Sequence, residues 1–250
     1  MGRNRRLLDV CDSTQEEARK IVAQGNADLH GWVVCAEKQE AGRGRQGRAW
    51  LDTAGKSLLF SLILARDCER LAPIIALALP VALHRAFGAR GLACVIKWPN
   101  DVLDSRGRKI AGILVERLAA PPLDALIAGM GINANQRAAD FTPELRDCAA
   151  SLAMNLEAPV SREALLADIL LEIEQVIEMP RESVCREWKN ALVGLHERAR
   201  LRQAGETIEG IVEDFAPDGA LVLRLEDNCL RRFYSGDVEL VRFAGAKGKL

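Results

Sequence analysis

The segment over residues 42–50, Gly-Arg-Gly-Arg-Gln-Gly-Arg-Ala-Trp, most constrains the fold because it lies between two short apolar segments. Those apolar segments, residues 32–36 and 57–64, predict buried strands. The Gly- and Arg-rich segment is therefore predicted to connect two strands. Glycine lets a backbone approach a ligand closely, and each guanidinium matches a phosphate or carboxylate. The segment indicates an anion-binding loop, and the alternative is a solvated surface loop.

The remaining apolar periodicity predicts a mixed α+β domain followed by a small β domain. Helices are predicted over residues 12–23, 71–87, 161–179 and 182–195, and further strands over residues 94–97, 110–117 and 125–133. Pro80 is expected to kink or break the second helix, and Pro121-Pro122 is expected to form a turn. Short alternating segments over residues 208–212, 220–225 and 238–243 predict a β-barrel. We place the domain boundary near His196, which gives domains 1–196 and 197–250.

Composition and charge limit the class of protein. A chain of 250 residues with 49% hydrophobic residues can bury a substantial core. Its formal net charge of −1 provides no global positive field toward nucleic acid or an anionic membrane. No signal core is recognised and no apolar run looks long enough to span a bilayer, so we expect a cytoplasmic protein. The seven cysteines are scattered and the three histidines lie far apart, which argues against disulfides and a zinc site.

Three common nucleotide-binding motifs are matched only superficially. Gly42, Gly44 and Gly47 have the spacing of the dinucleotide fingerprint, but that fingerprint must open a helix, and a strand is predicted next. The segment ending in Gly-Lys-Ser at residues 55–57 has Trp50 where a P-loop needs glycine. A lysine-bearing strand resembles that of protein kinases, but their catalytic and metal-binding motifs are missing. These classes are excluded.

A second group of polar residues lies in the middle of the chain. The turn Lys-Trp-Pro-Asn-Asp over residues 97–101 offers a cation and several oxygens, which suits a triphosphate with Mg²⁺; alternatively its Asn and Asp satisfy the backbone. Lys109 precedes a strand in which Gly112 leaves room for a ligand, or it is a solvated edge lysine. Gly129 and Gly131 in the next strand indicate close ligand approach or a bulge.

Taken in order, these motifs resemble those of the biotin protein ligases. The resemblance rests on Asp12-Ser13-Thr14, Gln39 with residues 42–50, residues 97–101, residues 108–116 and Gly129-Met130-Gly131-Ile132-Asn133. It implies a mixed β-sheet flanked by helices, similar to class II aminoacyl-tRNA synthetases, with a C-terminal SH3-like barrel. Gln15 and Glu40 depart from the family pattern. Because twelve residues precede Ser13, the chain resembles the form without an N-terminal DNA-binding domain.

The resemblance also implies an activity. Biotin and ATP, with Mg²⁺, would give biotinyl-5′-AMP, from which the biotinyl group passes to a lysine of a biotin carboxyl carrier protein. Implied catalytic residues are Lys97, Lys109, Arg45 and Asp101. The implied biotin-binding residues are Ser13, Thr14, Gln15, Gln39, Arg43, Gly44, Arg45, Lys109, Gly112, Gly129 and Gly131. Those implied for ATP are Arg43, Arg45, Arg48, Trp50, Lys97, Asn100, Asp101 and Asn133. No protein metal site is assigned, since ATP phosphates would hold Mg²⁺.

Two other functions remain as alternatives. A lipoate or octanoate ligase or transferase shares the general fold, but its motifs differ from Lys-Trp-Pro-Asn-Asp. A nucleic-acid-binding protein could use the loop over residues 42–50, which we call the arginine loop, together with the β-rich tail. Such a protein should be basic and show interleaved aromatics, whereas aromatic residues make up 4% of this chain. We expect no DNA or membrane binding, and a monomer or homodimer.

Overall fold

The computed structural model describes residues 1–25, 28–120, 123–203 and 205–240. The turn predicted at residues 121–122 and the end of the strand predicted over residues 238–243 lie outside the described residues.

A seven-stranded mixed sheet forms the centre of the larger unit, as predicted. Its strands are β1 Arg5–Cys11, β2 Val33–Gln39, β3 Ser57–Leu64, β4 Cys94–Lys97, β5 Asp101–Asp104, β6 Lys109–Ala120 and β7 Leu123–Asn133. The spatial order is β1-β2-β3-β7-β6-β5-β4. Only the pair β1–β2 is parallel among the pairings described. The arginine loop therefore joins two antiparallel neighbours, β2 and β3.

Helices cover both faces of this sheet. They are α1 Thr14–Ala23, α2 Cys68–Gly88, α3 Leu152–Leu156, α4 Arg162–Ile177 and α5 Arg181–Ala191. Ser13 caps α1 by accepting a hydrogen bond from the Gln15 backbone N–H. Ile21 of α1 packs with Ile127 of β7, whereas Met130 of β7 belongs to the core formed with α2, α4 and α5. Every residue of β3 is buried because helices cover it on both sides.

Two statements from the sequence are wrong for α2: that Pro80 would break the helix, and that no apolar run is long enough to span a bilayer. The helix is continuous from Cys68 to Gly88 and includes Pro80, so the proline does not break it. Pro80 has no backbone N–H to donate to the Ala76 carbonyl. Ala76 is exposed, so its carbonyl is open to hydration. The helix is also long and apolar enough to cross a membrane by length and composition, with a mean hydropathy of 1.6. However, 67% of that apolar window is buried inside the protein, so core packing accounts for its composition.

A second, smaller sheet begins at Arg198. Its antiparallel strands are β8 Arg198–Gln203, β9 Glu206–Phe215, β10 Leu221–Arg224, β11 Leu230–Phe233 and β12 Asp237–Leu240, in the order β11-β10-β9-β8-β12. Within the described residues no hydrogen-bonded ladder joins the two edge strands, β11 and β12. The predicted barrel is therefore an open sheet in this structure, and the separate β-rich C-terminal unit is confirmed.

Candidate functional site

A cavity of about 940 Å³ lies on the α1-facing side of the large sheet and reaches the small sheet. Its wall combines the start of α1, the arginine loop, strands β4 to β7, and β12 of the small sheet. All the residues singled out from the sequence line it: Ser13, Thr14, Gln15, Gln39, Arg43, Gly44, Arg45, Arg48, Trp50, Lys97, Asn100, Asp101, Lys109, Gly112, Gly129, Gly131 and Asn133. Tertiary structure thus brings five separate sequence motifs to one cavity.

One end of the cavity is polar and uncharged, and we call it the neutral end, formed by Ser13, Thr14, Gln39 and Ser61. The backbone N–H of Thr14 donates to Gln39 Oε1 at 2.8 Å. The Thr14 hydroxyl lies 2.9 Å from Ser61 Oγ and 3.1 Å from Gln39 Oε1. Gln39 Nε2 has no hydrogen-bond partner within the part of the chain that the structure describes. The neutral end can therefore recognise a small uncharged polar group.

Gln15 lies beside this end, and protein groups engage its amide on both sides. Its Nε2 donates to Glu116 Oε2 at 2.9 Å and to the Ile127 carbonyl at 3.0 Å. Its Oε1 accepts from the Ser61 hydroxyl at 3.0 Å. A Cβ at Gly129 would lie 2.5 Å from Gln15 Oε1, so glycine there makes room for this side chain. Gln15 thus supports the wall of the cavity from within the protein.

The indole of Trp50 covers the two strands at the floor of the cavity. Gly112 and Gly131 are direct neighbours on β6 and β7. A Cβ at Gly131 would lie 2.3 Å from the Trp50 ring, and one at Gly112 would lie 3.0 Å from it. The space that the sequence assigned to a ligand is thus filled by Trp50 in this structure. Its buried Nε1 has no hydrogen-bond partner within the described residues.

The arginine loop forms a short hairpin over the cavity. The backbone N–H of Trp50 donates to the Gly42 carbonyl at 2.9 Å, and Arg43 forms an isolated antiparallel β-bridge with Ala49. The chain reverses through Gln46 and Gly47, which both have positive φ. The next element is strand β3, which confirms that this loop does not open a helix as a dinucleotide fingerprint would. At its far side, Arg48 forms an ion pair with Asp237 of the small sheet.

The other end of the cavity carries several cations, and we call it the cationic end, formed by Arg43, Arg45, Arg48, Lys97 and Lys109. Lys109 Nζ lies 2.8 Å from Asp101 Oδ1 and 5.5 Å from the centroid of the Trp50 ring. Arg45 Nη1 lies 3.4 Å from Asn100 Oδ1. Burial lowers the pKa of Arg45 from its ordinary value.

The side chain of Lys97 differs from that of Lys109 in having no ion pair or hydrogen bond within the described residues. Burial lowers the pKa of Lys97, and the nearby cations Lys109 and Arg48 lower it further, while Asp101 and Glu239 oppose the shift. A partly buried ammonium group without an ion-pair partner is suited to an anionic ligand.

The turn at residues 97–101 and Asn133 also have structural roles. Asn100 Nδ2 donates to the Ile113 carbonyl at 2.6 Å, which ties the turn to β6. Asn133 Nδ2 donates to the carbonyls of Lys109 and Ala150, at 3.3 and 3.1 Å. These bonds hold the backbone on either side of Lys109, so Asn133 acts on the cavity through that lysine as well as by lining it.

Several lining residues were not singled out from the sequence. Ser61 lies in an apolar strand, and its position there carries no sequence signal beyond the hydroxyl itself. Residues from the segment after β7 and from the small sheet also line the cavity: Phe141, Leu145, Cys148, Ala149, Arg202, Asp237, Val238, Glu239 and Leu240. The backbone N–H of Lys109 donates to the Cys148 carbonyl at 2.7 Å, which docks that segment. These residues become neighbours only when segments that are far apart in the sequence pack together.

Metal-binding groups are sparse in this part of the molecule. Among the described residues, no group of three or more His, Cys, Asp or Glu side chains could hold a metal ion. The one carboxylate in the turn, Asp101, is paired with Lys109. All seven cysteine thiols are free, and burial raises the pKa of Cys148 at the cavity wall.

A cavity with a neutral and a cationic end, on a mixed sheet flanked by helices, is typical of an enzyme that acts on small anionic molecules. Residues 8–133 match the Biotin/lipoate A/B protein ligase family, and residues 197–241 match the biotin protein ligase C terminal domain. The chain belongs to the biotin/lipoate A/B protein ligase family.

Individual relatives agree with this assignment. A bifunctional ligase/repressor BirA of Bacillus spizizenii is 34% identical over 247 residues, which cover 96% of this chain and 75% of that protein. A biotin--[acetyl-CoA-carboxylase] ligase of Mycobacterium tuberculosis is 30% identical, with 89% of this chain and 85% of that protein covered. The structure of a biotin protein ligase from Aquifex aeolicus in complex with biotin and ATP superposes with a TM-score of 0.79 at 27% identity, covering 95% of this chain and 98% of that one. The predicted resemblance to biotin protein ligases is confirmed.

Proposed function

We propose that this protein activates biotin with ATP to biotinyl-5′-AMP and transfers the biotinyl group to a lysine of a biotin carboxyl carrier protein. The carrier would belong to acetyl-CoA carboxylase or a related carboxylase. The observation that carries the proposal is the two-ended cavity, in which a neutral hydrogen-bonding end adjoins a cationic end. The uncharged ureido ring of biotin fits the first end, and its carboxylate together with the phosphates of ATP fits the second.

The first half-reaction brings two anions together. Two unit charges 4 Å apart repel by about 4 kcal/mol at an effective dielectric of 20. The cationic end offsets this repulsion between the biotin carboxylate and the α-phosphate. Lys109 is the residue we assign to the carboxylate and then to the adenylate phosphate, since it projects from β6 beside the floor of the cavity. Lys97 and the loop arginines Arg43 and Arg45 would hold the phosphates.

At the neutral end, the donors and acceptors complement a urea. Gln39 Nε2 offers N–H groups to the ureido carbonyl, and the Thr14 oxygen can accept from a ureido N–H. Ser13 uses its oxygen to cap α1, so its hydroxyl proton remains available to a ligand. We therefore assign Ser13, Thr14 and Gln39 to the ring.

Trp50 limits how a ligand can lie in this cavity. Because its ring occupies the space above Gly131 and Gly112, a molecule lying directly against these glycines requires the indole to move. A tryptophan that leaves this position is free to stack on the adenine of ATP. We assign Trp50 to the nucleotide.

The Mg²⁺ that accompanies ATP would be held mainly by phosphate oxygens. The donor set of this chain fits that arrangement, because the carboxylate of Asp101 lies beside the cationic end but stands alone there. Bound Mg²⁺ supplies charge neutralisation on the triphosphate. Asn100 and Asp101 would help to place the Mg²⁺-ATP complex and the incoming amine.

In the second half-reaction, the amine nitrogen of the carrier lysine attacks the carbonyl carbon of the mixed anhydride. A C–N bond forms, the bond from carbon to the phosphate oxygen breaks, and AMP leaves with its electron pair while the amine releases a proton. Closure of the arginine loop would exclude water, which competes with the amine for the same carbon. The loop is tied to the small sheet through Arg48 and Asp237, so both units would take part in closure.

The partners we propose are the carrier domain and the two small substrates. A net charge of −1 gives no support to a nucleic-acid partner. For the assembly we propose a monomer or a homodimer, which sedimentation analysis with and without biotin and ATP would distinguish.

The activity is tested by incubating a purified carrier domain with the protein, ATP and biotin. Mass spectrometry should show one biotinyl increment on a lysine of the carrier, and none when either small molecule is omitted. A carrier of unchanged mass, together with no biotin-dependent exchange of pyrophosphate into ATP, would refute the proposal.

Lipoate is the second candidate substrate, because the family that the catalytic residues match includes lipoate ligases by name. The match of residues 197–241 to the biotin protein ligase C terminal domain favours biotin. Pyrophosphate exchange supported by lipoate but not by biotin would reverse this assignment.

A further inference from the structure

A chain of hydrogen bonds runs along the α1-facing side of the sheet to the neutral end of the cavity. It starts at Glu116 on β6, which pairs with Arg19 of α1, and passes through Gln15 and Ser61 to Thr14. Ser61 and Gln15 are buried, so their hydrogen bonds are made to protein groups. Glu116 lies behind Gln15, outside the set of residues that line the cavity. We call Glu116, Gln15, Ser61 and Thr14 the relay.

The charge of Glu116 fixes the orientation of the Gln15 amide. Nε2 faces the Glu116 carboxylate and the Ile127 carbonyl, two groups that can only accept hydrogen bonds. The reversed amide would place Oε1 against both of these acceptors. Because burial makes such contacts costly, only one orientation is favourable, and Oε1 must face Ser61.

This orientation sets the direction of the next two hydrogen bonds. With an acceptor in front of it, the Ser61 hydroxyl must donate to Gln15 Oε1 at 3.0 Å. Ser61 can then only accept from Thr14, 2.9 Å away. The other acceptor within reach of the Thr14 proton is Gln39 Oε1, at 3.1 Å. In either case the Thr14 proton points into the protein and the oxygen remains as an acceptor toward the cavity.

Gln39 completes the pattern independently of the relay. Its Oε1 accepts from the backbone N–H of Thr14, a donor that cannot reverse, so Nε2 is left to donate to a ligand. The neutral end therefore presents donors from Gln39 and an acceptor from Thr14. Of these, only the acceptor depends on Glu116.

We propose that Glu116 is a positioning residue that sets the hydrogen-bond direction of the relay, so that Thr14 accepts from a ring N–H of the substrate. The inference rests on the proposed function, since it takes the substrate to be the urea-type ring of biotin.

In Glu116→Gln the new amide oxygen stays with Arg19, so its NH2 group faces Gln15 Nε2, and this contact between two donors favours the reversed Gln15 amide, which donates to Ser61. Only the Ile127 carbonyl then opposes the reversal. Ser61 then donates to Thr14, and the Thr14 proton turns either to Gln39 Oε1, which already accepts from the Thr14 backbone N–H, or toward the cavity, where it opposes the ring N–H.

The test is Glu116→Gln, which keeps the shape of the side chain and removes its charge. We expect the KM for biotin in pyrophosphate exchange to rise about tenfold, as for the loss of a hydrogen bond in a buried site. We expect kcat and the KM for ATP to stay within about twofold. Glu16→Gln is the matched control, because Glu16 also pairs with Arg19 but makes no contact in the relay. It should leave all three constants unchanged.

A double-mutant cycle with Ser61→Ala separates the relay from a general loss of structure. If Glu116 acts through Ser61, Glu116→Gln should raise the KM for biotin less than about twofold further in the Ser61→Ala background. Fully additive effects, an unchanged KM in Glu116→Gln, or an equal rise in the KM for ATP would each overturn the proposal.

Two further results keep the outcome decisive. If Glu116→Gln does not fold, Gln15→Met breaks the relay at its second member and should raise the KM for biotin by the same factor; an unchanged KM there would overturn the proposal. If the wild-type protein fails to bind biotin in calorimetry, the proposed function itself fails. If the wild-type protein binds biotin and Glu116→Gln binds it equally well, only the role of Glu116 fails.

Discussion

Lys97 and Lys109 lie at the same end of the cavity, but their charges are balanced differently. Lys109 is paired with Asp101 at 2.8 Å, whereas Lys97 has no ion pair within the described residues. A paired lysine can exchange its carboxylate partner for a substrate anion, and an unpaired buried lysine gains its first partner when the anion binds. The two residues should therefore differ in how their removal affects stability and activity.

Replacing Lys109 with alanine should reduce carrier labelling at least about a hundredfold, because a cation that stabilises developing charge is lost. Initial rates of biotin-dependent pyrophosphate exchange and of carrier labelling would measure the effect. Lys56→Ala is the control, since Lys56 is paired with Asp140 and does not line the cavity. Labelling at the full rate by Lys109→Ala would remove the role assigned to Lys109.

Replacing Lys97 with methionine should raise the melting temperature at pH 7. Because burial lowers the folded-state pKa of Lys97 below the value of 10.5 found in the unfolded chain, the unfolded state binds more protons between these two values. The stability of the wild-type protein therefore rises with pH in that window, and the advantage of Lys97→Met should shrink as pH approaches 10.5.

Thermal unfolding of Lys97→Met and wild type at pH 7 and pH 9.5 would measure this difference. Lys38→Met replaces an exposed lysine of β2 and should show no such pH-dependent gain. An equal difference in melting temperature between Lys97→Met and wild type at both pH values would contradict the argument. Independently of stability, Lys97→Met should bind ATP more weakly.

At the scale of elements, the arginine loop links the large sheet, in which it joins β2 and β3, to the small sheet. Its hairpin hydrogen bonds hold residues 42–50 over the cavity, and its ion pair from Arg48 to Asp237 reaches β12. The loop is also the element that carries Trp50 onto the glycines of β6 and β7. A change in the loop therefore alters the floor and the far wall of the cavity together.

Trypsin cleavage after the loop arginines should slow when biotin and ATP are present, because closure over the anion orders the backbone. Without ligands, Asp237→Asn should be cleaved faster than wild type, since Arg48 loses this partner. Glu213→Gln removes an ion pair within the same small sheet and should leave the cleavage rate unchanged. Cleavage rates followed by gel electrophoresis would show whether the loop responds; equal rates with and without ligands would contradict closure.

At the scale of the whole molecule, the two units share one hydrophobic core and are joined by specific polar contacts, one of which lies beside the cavity. The indole Nε1 of Trp98, which lies in the turn at residues 97–101 of the large unit, donates to the Gly219 carbonyl of the small unit at 2.8 Å. Trp98 is 3% exposed, so the donor side of this hydrogen bond is buried. This contact places the cationic turn at residues 97–101 against the small sheet.

Replacing Trp98 with phenylalanine should lower the free energy of unfolding by about 1–3 kcal/mol beyond the loss of packing, because the Gly219 carbonyl loses its donor. Trp188→Phe is the matched control: Trp188 is equally buried, and its indole Nε1 has no partner within the described residues. Urea unfolding of both variants would give the difference, and equal losses would contradict a role for the Trp98 hydrogen bond.

Local pattern was sufficient for much of this fold. Strands β3 and β4 were predicted with the bounds that the structure has, since they are apolar runs between clear turns. Strands β1 and β8 were missed because they carry arginines and expose many of their residues, which hides the apolar signal of a strand. Strands β5 and β11 were missed because each is short and contains two charged residues. Whether the small sheet closes depends on pairing between its edges, which no local pattern encodes.

The ordered motifs were enough to predict the family and many of the residues that line the cavity, because these depend on residue type and spacing along the chain. Three features of the cavity were decided by packing between distant segments: the indole filling the space above Gly131, the ion pair between Arg48 and Asp237, and the relay from Glu116 to Thr14. Each requires groups far apart in sequence to meet within a few ångströms. Their hydrogen-bond partners and charges, and hence what the cavity can recognise, exist only once the chain has folded.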